Sequence, residues 1–115
     1  MLTDLELRQL YNYKTEEDFR ISVKNHAVVN GWLYYHTYNS KHSDKGYPDC
    51  TFVRDGRLVF AELKLHKEGT KKGAPTESQQ EWINELGKVH SRAPRTVEVY
   101  IWRPRDWDLI EEVLE

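Results

Sequence analysis

Residues 46–64 read GYPDCTFVRDGRLVFAELK, and this stretch predicts a β-hairpin. Asp55-Gly56 is a typical two-residue hairpin turn, so residues 49–54 and 58–65 are expected to form antiparallel strands. The second strand is apolar on both faces, with Leu58 and Phe60 on one and Val59, Ala61, Leu63 and Leu65 on the other. A strand of this kind is covered on both sides, which favours a central strand in an α/β domain.

Two helices flank the hairpin in the sequence pattern. The first is expected to begin at Thr15, to end at Asn30-Gly31 and to bury a face made of Phe19, Val23 and Ala27. The second is expected to begin near Thr76 and to bury a stripe made of Trp82, Ile83, Leu86 and Val89.

The remaining segments complete an α-β-β-β-α-β-α order. Strands are predicted at 32–38 and 96–102, a polar loop at 39–47, a basic loop at 66–75, and a last helix near 104–114 with Trp107, Ile110 and Leu114 on its apolar side. The fold class is therefore α/β, a mixed central sheet flanked by helices. We expect one domain over residues 1–115, with an N-terminal extension at 1–14 and a core at about 15–107.

Composition excludes several classes of protein. No run of about 18 apolar residues exists, so no membrane-spanning helix and no membrane partner are expected. The single cysteine, Cys50, excludes an internal disulfide and a multi-cysteine zinc site, and it favours the cytoplasm as the setting. The formal net charge is −2, but residues 36–105 hold 13 Lys or Arg against 9 Asp or Glu. Charge alone favours ordinary surface scatter over a DNA-binding footprint.

The hairpin predicts a cluster of charged side chains. Glu62 and Lys64 are two residues apart on one strand and project from the same face. The turn folds the other strand back, so Asp49 is expected near them. Two carboxylates about 4 Å apart repel by roughly 4 kcal/mol at an effective dielectric of 20, which a divalent cation or a proton must relieve. Oxygen ligands favour Mg²⁺ or Mn²⁺, and the backbone carbonyl of Leu63, between the two motif side chains, is a further candidate ligand.

Four sequence elements in this order resemble the VRR-NUC branch of the PD-(D/E)XK nucleases. They are a first-helix glutamate at Glu16, the G-x-P-D motif at 46–49, the E-x-K motif at 62–64 and the Q-x-x-W motif at 79–82. The resemblance covers residues 15–107 and is greatest to the compact stand-alone forms encoded by phages and bacteria. It implies a restriction-endonuclease-like αβββαβ core and a DNA nuclease dependent on Mg²⁺ or Mn²⁺. It also implies dimers that cut branched DNA such as Holliday junctions or flaps.

The predicted catalytic residues are Asp49, Glu62, Lys64, Gln79 and Glu16. Asp49, Glu62 and Glu16 would bind the metal, while Lys64 and Gln79 would assist the attacking water. Glu16 shares the helix face of Phe19, and Glu17, about 100° around, is the weaker candidate. Gln80 is the alternative to Gln79, because the doubled glutamine leaves the register open by one residue.

Polar residues around this cluster are candidate DNA contacts. His36, Ser40 and Lys41 follow the first strand, and Lys67, Lys71 and Lys72 follow the catalytic strand. Such lysines could neutralise backbone phosphates without reading sequence, although a solvated loop fits the same residues.

Other interpretations compete with the nuclease. A zinc site of His36, His42, Asp44 and Asp49 matches no established ligand spacing. Cys50 alternates away from Asp49, so a core thiol is favoured over a nucleophile. The alternative functions are a non-catalytic nucleic-acid-binding module, an accessory protein of phage replication or repair, and an enzyme acting on a small phosphate ester. The last of these would need a phosphate-cradling glycine loop, which this sequence lacks.

Overall fold

The computed structural model describes residues 13–38, 44–66, 69–94 and 96–115. Its elements are α1 (Glu16–Val29), β1 (Leu33–His36), β2 (Cys50–Arg54), β3 (Arg57–Leu63), α2 (Glu77–His90), β4 (Val97–Trp102), a 3₁₀ turn (Pro104–Asp106) and α3 (Trp107–Val113). This order confirms the predicted mixed α/β architecture, which is compatible with an αβββαβ core.

The four strands form one sheet in the order β1-β2-β3-β4. The β1–β2 and β2–β3 pairs are antiparallel, and β3 pairs with β4 in parallel. Asp55 and Gly56 join β2 to β3 with φ angles of 47° and 78°, the left-handed backbone that a tight hairpin turn requires. The parallel β4 is reached through α2, as a parallel pair needs a crossover. The prediction that β3 is a central strand is therefore confirmed.

One hydrophobic core lies between the sheet and the helices α1 and α3. Its members are Phe19, Val23, Ala27, Trp32, Cys50, Phe52, Val59, Ala61, Leu63, Trp102, Ile110, Val113 and Leu114. The predicted buried face of α1 is confirmed, since its three apolar residues are all 0% exposed. Thr15 caps this helix by accepting a hydrogen bond from the Asp18 amide at 3.1 Å, as the sequence predicts.

The buried stripe predicted for α2 is wrong. No residue of this helix is buried, and Trp82 and Val89 are 38% and 45% exposed. The helix packs over β4 and over the loop before β2, where Trp82 meets Tyr47 edge to face at 5.0 Å. Helical spacing identifies the side that faces the protein, but not how deeply that side is covered. The predicted start is confirmed, because Thr76 forms a capping box with Gln79.

Two segment ends differ from the prediction. The third strand ends at Leu63, so Lys64 follows it, although the Lys64 amide still donates to the Trp102 carbonyl at 3.0 Å. Pro104 begins a 3₁₀ turn before α3, because the Asp106 carboxylate accepts from the Arg103 amide at 2.8 Å and tightens the chain there. These bonds keep the residues after β3 and β4 side by side.

The guanidinium of Arg103 is buried and holds the segment that follows β3. It donates to the carbonyl of His66 at 3.2 Å and to that of Gly73 at 2.6 Å. Positions 66 and 73 are therefore both tied to the residue that follows β4. No helix in the described parts of the chain is long and apolar enough to cross a lipid bilayer.

Candidate active site

Asp49 lies directly before β2 and beside the carboxyl end of β3. The register pairs Cys50 with Ala61, so the next residues outward are Asp49 and Glu62. The carboxylate of Asp49 accepts a hydrogen bond from the Leu63 amide at 2.9 Å. Thr37 fixes the backbone here, because its amide donates to the Asp49 carbonyl at 2.9 Å. The hairpin thus brings Asp49 to the E-x-K segment.

The carboxyl group of Glu62 is almost entirely buried, with 2% of the residue exposed. Its Oε1 accepts a hydrogen bond from Gln79 Nε2 at 3.0 Å, whereas its buried Oε2 meets no hydrogen-bond donor among the described residues. Burial raises its pKa to about 9, and the neighbouring charge of Asp49 adds to the rise. The protonated form also shares a hydrogen bond with Asp49, so this carboxyl group holds a proton at neutral pH when no metal ion is bound.

Lys64 is 8% exposed and follows Glu62 by two residues. Its ammonium group is close enough to oppose the rise in the Glu62 pKa. A buried ammonium is costly unless negative charge surrounds it, and Asp49, together with Glu62 when it is ionised, would supply that charge. Asp49, Glu62 and Lys64 therefore form one electrostatic group at the end of β3.

Gln79 reaches this group because two contacts fix the start of α2. Its Oε1 accepts from the Thr76 amide at 2.9 Å, while its Nε2 donates to Glu62. Gly46 has a φ of 92°, and a Cβ there would overlap the backbone carbonyl of Ser78. The G-x-P-D loop can therefore lie against the first turn of α2. Gln80 points elsewhere and donates to Asn84 at 2.8 Å, so Gln79 is the residue at the site.

A cleft of about 350 Å³ opens beside Asp49 and Leu63, between α1 and the sheet. Glu16 and Glu17 both line it. The charge of Glu16 contributes to the raised Glu62 pKa, whereas Glu17 forms an ion pair with Arg20 at 3.4 Å and is 71% exposed. Of these two glutamates, Glu16 is therefore the one that interacts electrostatically with Glu62.

The carboxylate pair suits a hard divalent cation. The described residues contain no group of three or more His, Cys, Asp or Glu side chains arranged to hold a metal ion. A Mg²⁺ site, however, uses one or two carboxylates and keeps several waters. Asp49 and Glu62 provide two, and the buried Oε2 of Glu62, which accepts no hydrogen bond from the described residues, is an acceptor that a cation would satisfy. The donor set therefore fits Mg²⁺ or Mn²⁺.

Three of the six predicted DNA contacts lie among the described residues. His36 lines the cleft, and its Nδ1 lies 3.3 Å from the Asp49 carbonyl oxygen. Lys71 and Lys72 are exposed in the segment between β3 and α2. Ser40, Lys41 and Lys67 lie outside the described residues.

The described zinc candidates do not converge. His42 lies outside the described residues. Asp44 lines a second cleft with Tyr47 and Trp82, whereas His36 and Asp49 line the first. The predicted core position of Cys50 is confirmed, because the residue is 0% exposed and burial raises the pKa of its thiol to about 12. A thiol of that pKa is not a nucleophile at neutral pH.

Sequence reasoning missed Arg20, which also lines the cleft. Its Nη1 donates to the Tyr34 hydroxyl at 3.0 Å. The available signal was its position four residues after Glu16, on the same helix face.

No protein-family model, curated protein or solved structure gives a significant match to this chain. The geometry of the site therefore carries the functional argument by itself.

Proposed function

We propose that this protein is a DNA endonuclease of the PD-(D/E)XK type that depends on Mg²⁺ or Mn²⁺. The observation that carries the proposal is the buried carboxyl group of Glu62 beside the Asp49 carboxylate, with an Oε2 that accepts no hydrogen bond from the described residues. A purely structural hairpin gains nothing from two adjacent carboxyl groups at the end of a buried strand, since each would be more stable in water.

Each side chain has a role that follows from its position. Asp49 and Glu62 would hold the cation, with the Leu63 carbonyl and Glu16 as further ligands. When bound, such a cation polarises a phosphate oxygen and lowers the pKa of an attacking water. Lys64 would orient that water and stabilise negative charge that develops on the phosphate. Gln79 holds the Glu62 carboxyl group in place and would assist the same water.

The open cleft supports a polymeric substrate over a small phosphate ester. It lies at the surface between α1 and the sheet. Its polar lining residues are Glu16, Glu17, Arg20, His36, Tyr38 and Asp49. Exposed Lys71 and Lys72 would contact phosphates farther along the strand. Symmetric cutting of a branched DNA would need two such sites and hence a homodimer. A buried free thiol suits the reducing cytoplasm of a bacterial host.

The first test is cleavage of labelled single-stranded, duplex, flap and four-way-junction DNA in Mg²⁺, Mn²⁺ or EDTA. We expect cutting that requires the metal and falls at least about 100-fold in Lys64→Ala, because one positioned catalytic group commonly contributes that much. Lys88→Ala is the matched control: it removes the same charge from α2, where Lys88 pairs with exposed Glu85. Control and wild type should cut equally.

Three results would count against the proposal. Cutting that survives EDTA would exclude a metal-dependent site, and equal activity in Lys64→Ala would place the chemistry elsewhere. DNA binding by folded, metal-loaded protein without cutting would favour the non-catalytic binding module.

A further inference from the structure

The cleft carries an excess of negative charge. Glu16, Glu17 and Asp49 contribute three carboxylates to its wall. Among its described lining residues, Arg20 alone has a permanent positive charge, because His36 is charged only when protonated. A DNA phosphate that enters the cleft meets this guanidinium as its one fixed cation in the described wall.

Contacts on two sides fix the position of Arg20. Its Nη1 donates to the Tyr34 hydroxyl at 3.0 Å and its Nη2 donates to Glu17 Oε1 at 3.4 Å. Tyr34 is in turn fixed in the sheet, with its ring 5.4 Å from Phe52. The guanidinium is therefore held in one position at the wall of the cleft.

A structural role does not account for all of the hydrogen-bonding capacity of the Arg20 side chain. The Glu17 partner is 71% exposed and the pair is 3.4 Å long, so it adds little to stability. Two bonds use two of the five N–H donors of the guanidinium. The side chain is 17% exposed and lines the cleft, so its other donors are available to a ligand there.

We propose that Arg20 binds a backbone phosphate of the substrate strand next to the bond that is cut. This inference rests on the proposed nuclease function and adds a residue that anchors the substrate. A planar guanidinium binds a phosphate through two parallel hydrogen bonds, which fixes orientation as well as distance. Arg20 would thereby hold the strand against the carboxylate pair.

The test is binding of fluorescently labelled duplex DNA in EDTA, measured by anisotropy at increasing KCl concentration. Each phosphate that a protein neutralises contributes about 0.9 to the slope of log K against log salt on duplex DNA. We expect Arg20→Gln to lower that slope by about 0.9 and to weaken binding severalfold. Arg20→Lys should keep the slope. Tyr34→Phe should also keep it, because the charge remains when the anchoring hydroxyl is lost.

Arg54→Gln is the matched control. Arg54 lies at the far end of β2 from Asp49, roughly 17 Å along the strand. It contacts the Trp32 ring and the Asn30 carbonyl, and it lines no part of the cleft. The slope for Arg54→Gln should equal that of the wild type.

A lower melting temperature in Arg20→Gln with an unchanged salt slope would overturn the proposal. Arg20 would then have only a structural role. If Arg20→Gln does not fold, Arg20→Lys decides, because the loss of the planar fork should weaken binding at constant slope. Equal affinity of Arg20→Lys and wild type would then overturn it.

Failure of the nuclease proposal is distinguishable. If the wild type cuts no DNA but Arg20→Gln still lowers the salt slope, the phosphate site stands and the nuclease proposal fails. If the wild type binds no DNA, both proposals fail.

Discussion

At Glu62, a carboxyl group with 2% of the residue exposed lies beside Asp49, and one of its oxygens accepts no hydrogen bond from the residues that the structure describes. Its pKa is raised to about 9, above the ordinary value of 4.5. The folded state therefore binds a proton here that the unfolded state releases at neutral pH. Stability from this group is present below pH 4.5 and is lost as the pH rises from 4.5 towards 9. Above pH 4.5 this residue therefore lowers the stability of the protein when no cation is bound to it.

Glu62→Gln should separate stability from activity. An amide of the same shape keeps a polar group for Gln79 and removes the charge, so we expect a higher melting temperature in EDTA above pH 7. A gain of 1 kcal/mol corresponds to about 5 °C for a domain of this size. The decline in stability between pH 5 and 9 should be smaller than in the wild type, while cleavage in Mg²⁺ should be lost.

Thermal unfolding followed by circular dichroism at pH 5, 7 and 9 measures this effect. Glu81→Gln, an exposed residue of α2, is the control and should behave as the wild type. A melting temperature of Glu62→Gln below that of the wild type at pH 9 would mean that the charged carboxylate stabilises the fold.

The sequence was sufficient to place Asp49 and Glu62 together, because a two-residue turn fixes which residues of a hairpin face each other. It did not decide whether Gln79 or Gln80 faces the site. Adjacent helix positions differ by about 100° around the axis, so the answer depends on the residue at which the helix starts. The capping box with Thr76 fixes that start. Arg20 was missed because its significance depends on Tyr34, fourteen residues later.

Among the elements, α2 is set in place at its first turn. Its residues are all at least partly exposed, so burial holds it weakly, and the close contact between Gly46 and Ser78 is correspondingly important. The sequence predicted the start of this helix from Thr76, a local signal. Its depth could not be predicted, because that depends on what β4 and the loop before β2 leave uncovered.

Gly46→Ala should be more destabilising than Gly56→Ala. Both glycines have positive φ angles, 92° and 78°, so both alanines strain the backbone by about 1 kcal/mol. At Gly56 a Cβ meets nothing within 4 Å, whereas at Gly46 it overlaps the Ser78 backbone. We expect a total of roughly 2–4 kcal/mol for Gly46→Ala, and a loss of cleavage as Gln79 is displaced.

Urea denaturation gives both free energies of unfolding, and Gly56→Ala serves as the control for backbone strain alone. Equal losses in the two variants would show that the loop and α2 separate without cost.

Across the whole molecule, Arg57 and Glu98 join the sheet to the last helix at the end opposite the site. Arg57 forms two hydrogen bonds with Glu98 at 2.8 and 3.0 Å and donates to the Val113 carbonyl at 3.1 Å. Burial alone would raise the Glu98 pKa, but the hydrogen bonds from Arg57 and Tyr100 outweigh it and lower the pKa. This network stabilises the fold without involving the cleft.

Glu98→Gln should therefore lower stability without changing the chemistry. A depressed carboxyl pKa contributes stability that is present above pH 4.5 and is lost as the pH falls through the folded-state pKa. We expect a loss of about 1–2 kcal/mol at pH 7, and a smaller difference from the wild type at pH 3. Urea denaturation at both values measures it. A difference of the same size at pH 3 would contradict the linkage to this carboxyl group.

The Arg103 guanidinium, which ties position 66 to position 73, also affects how well the chain tolerates insertions between these two positions. Both ends of the intervening segment are fixed to the residue that follows β4. Lengthening the chain between two fixed ends costs little entropy, roughly 0.6 kcal/mol for each doubling of loop length. We therefore expect insertions between positions 66 and 73 to leave the strand that carries Glu62 in register.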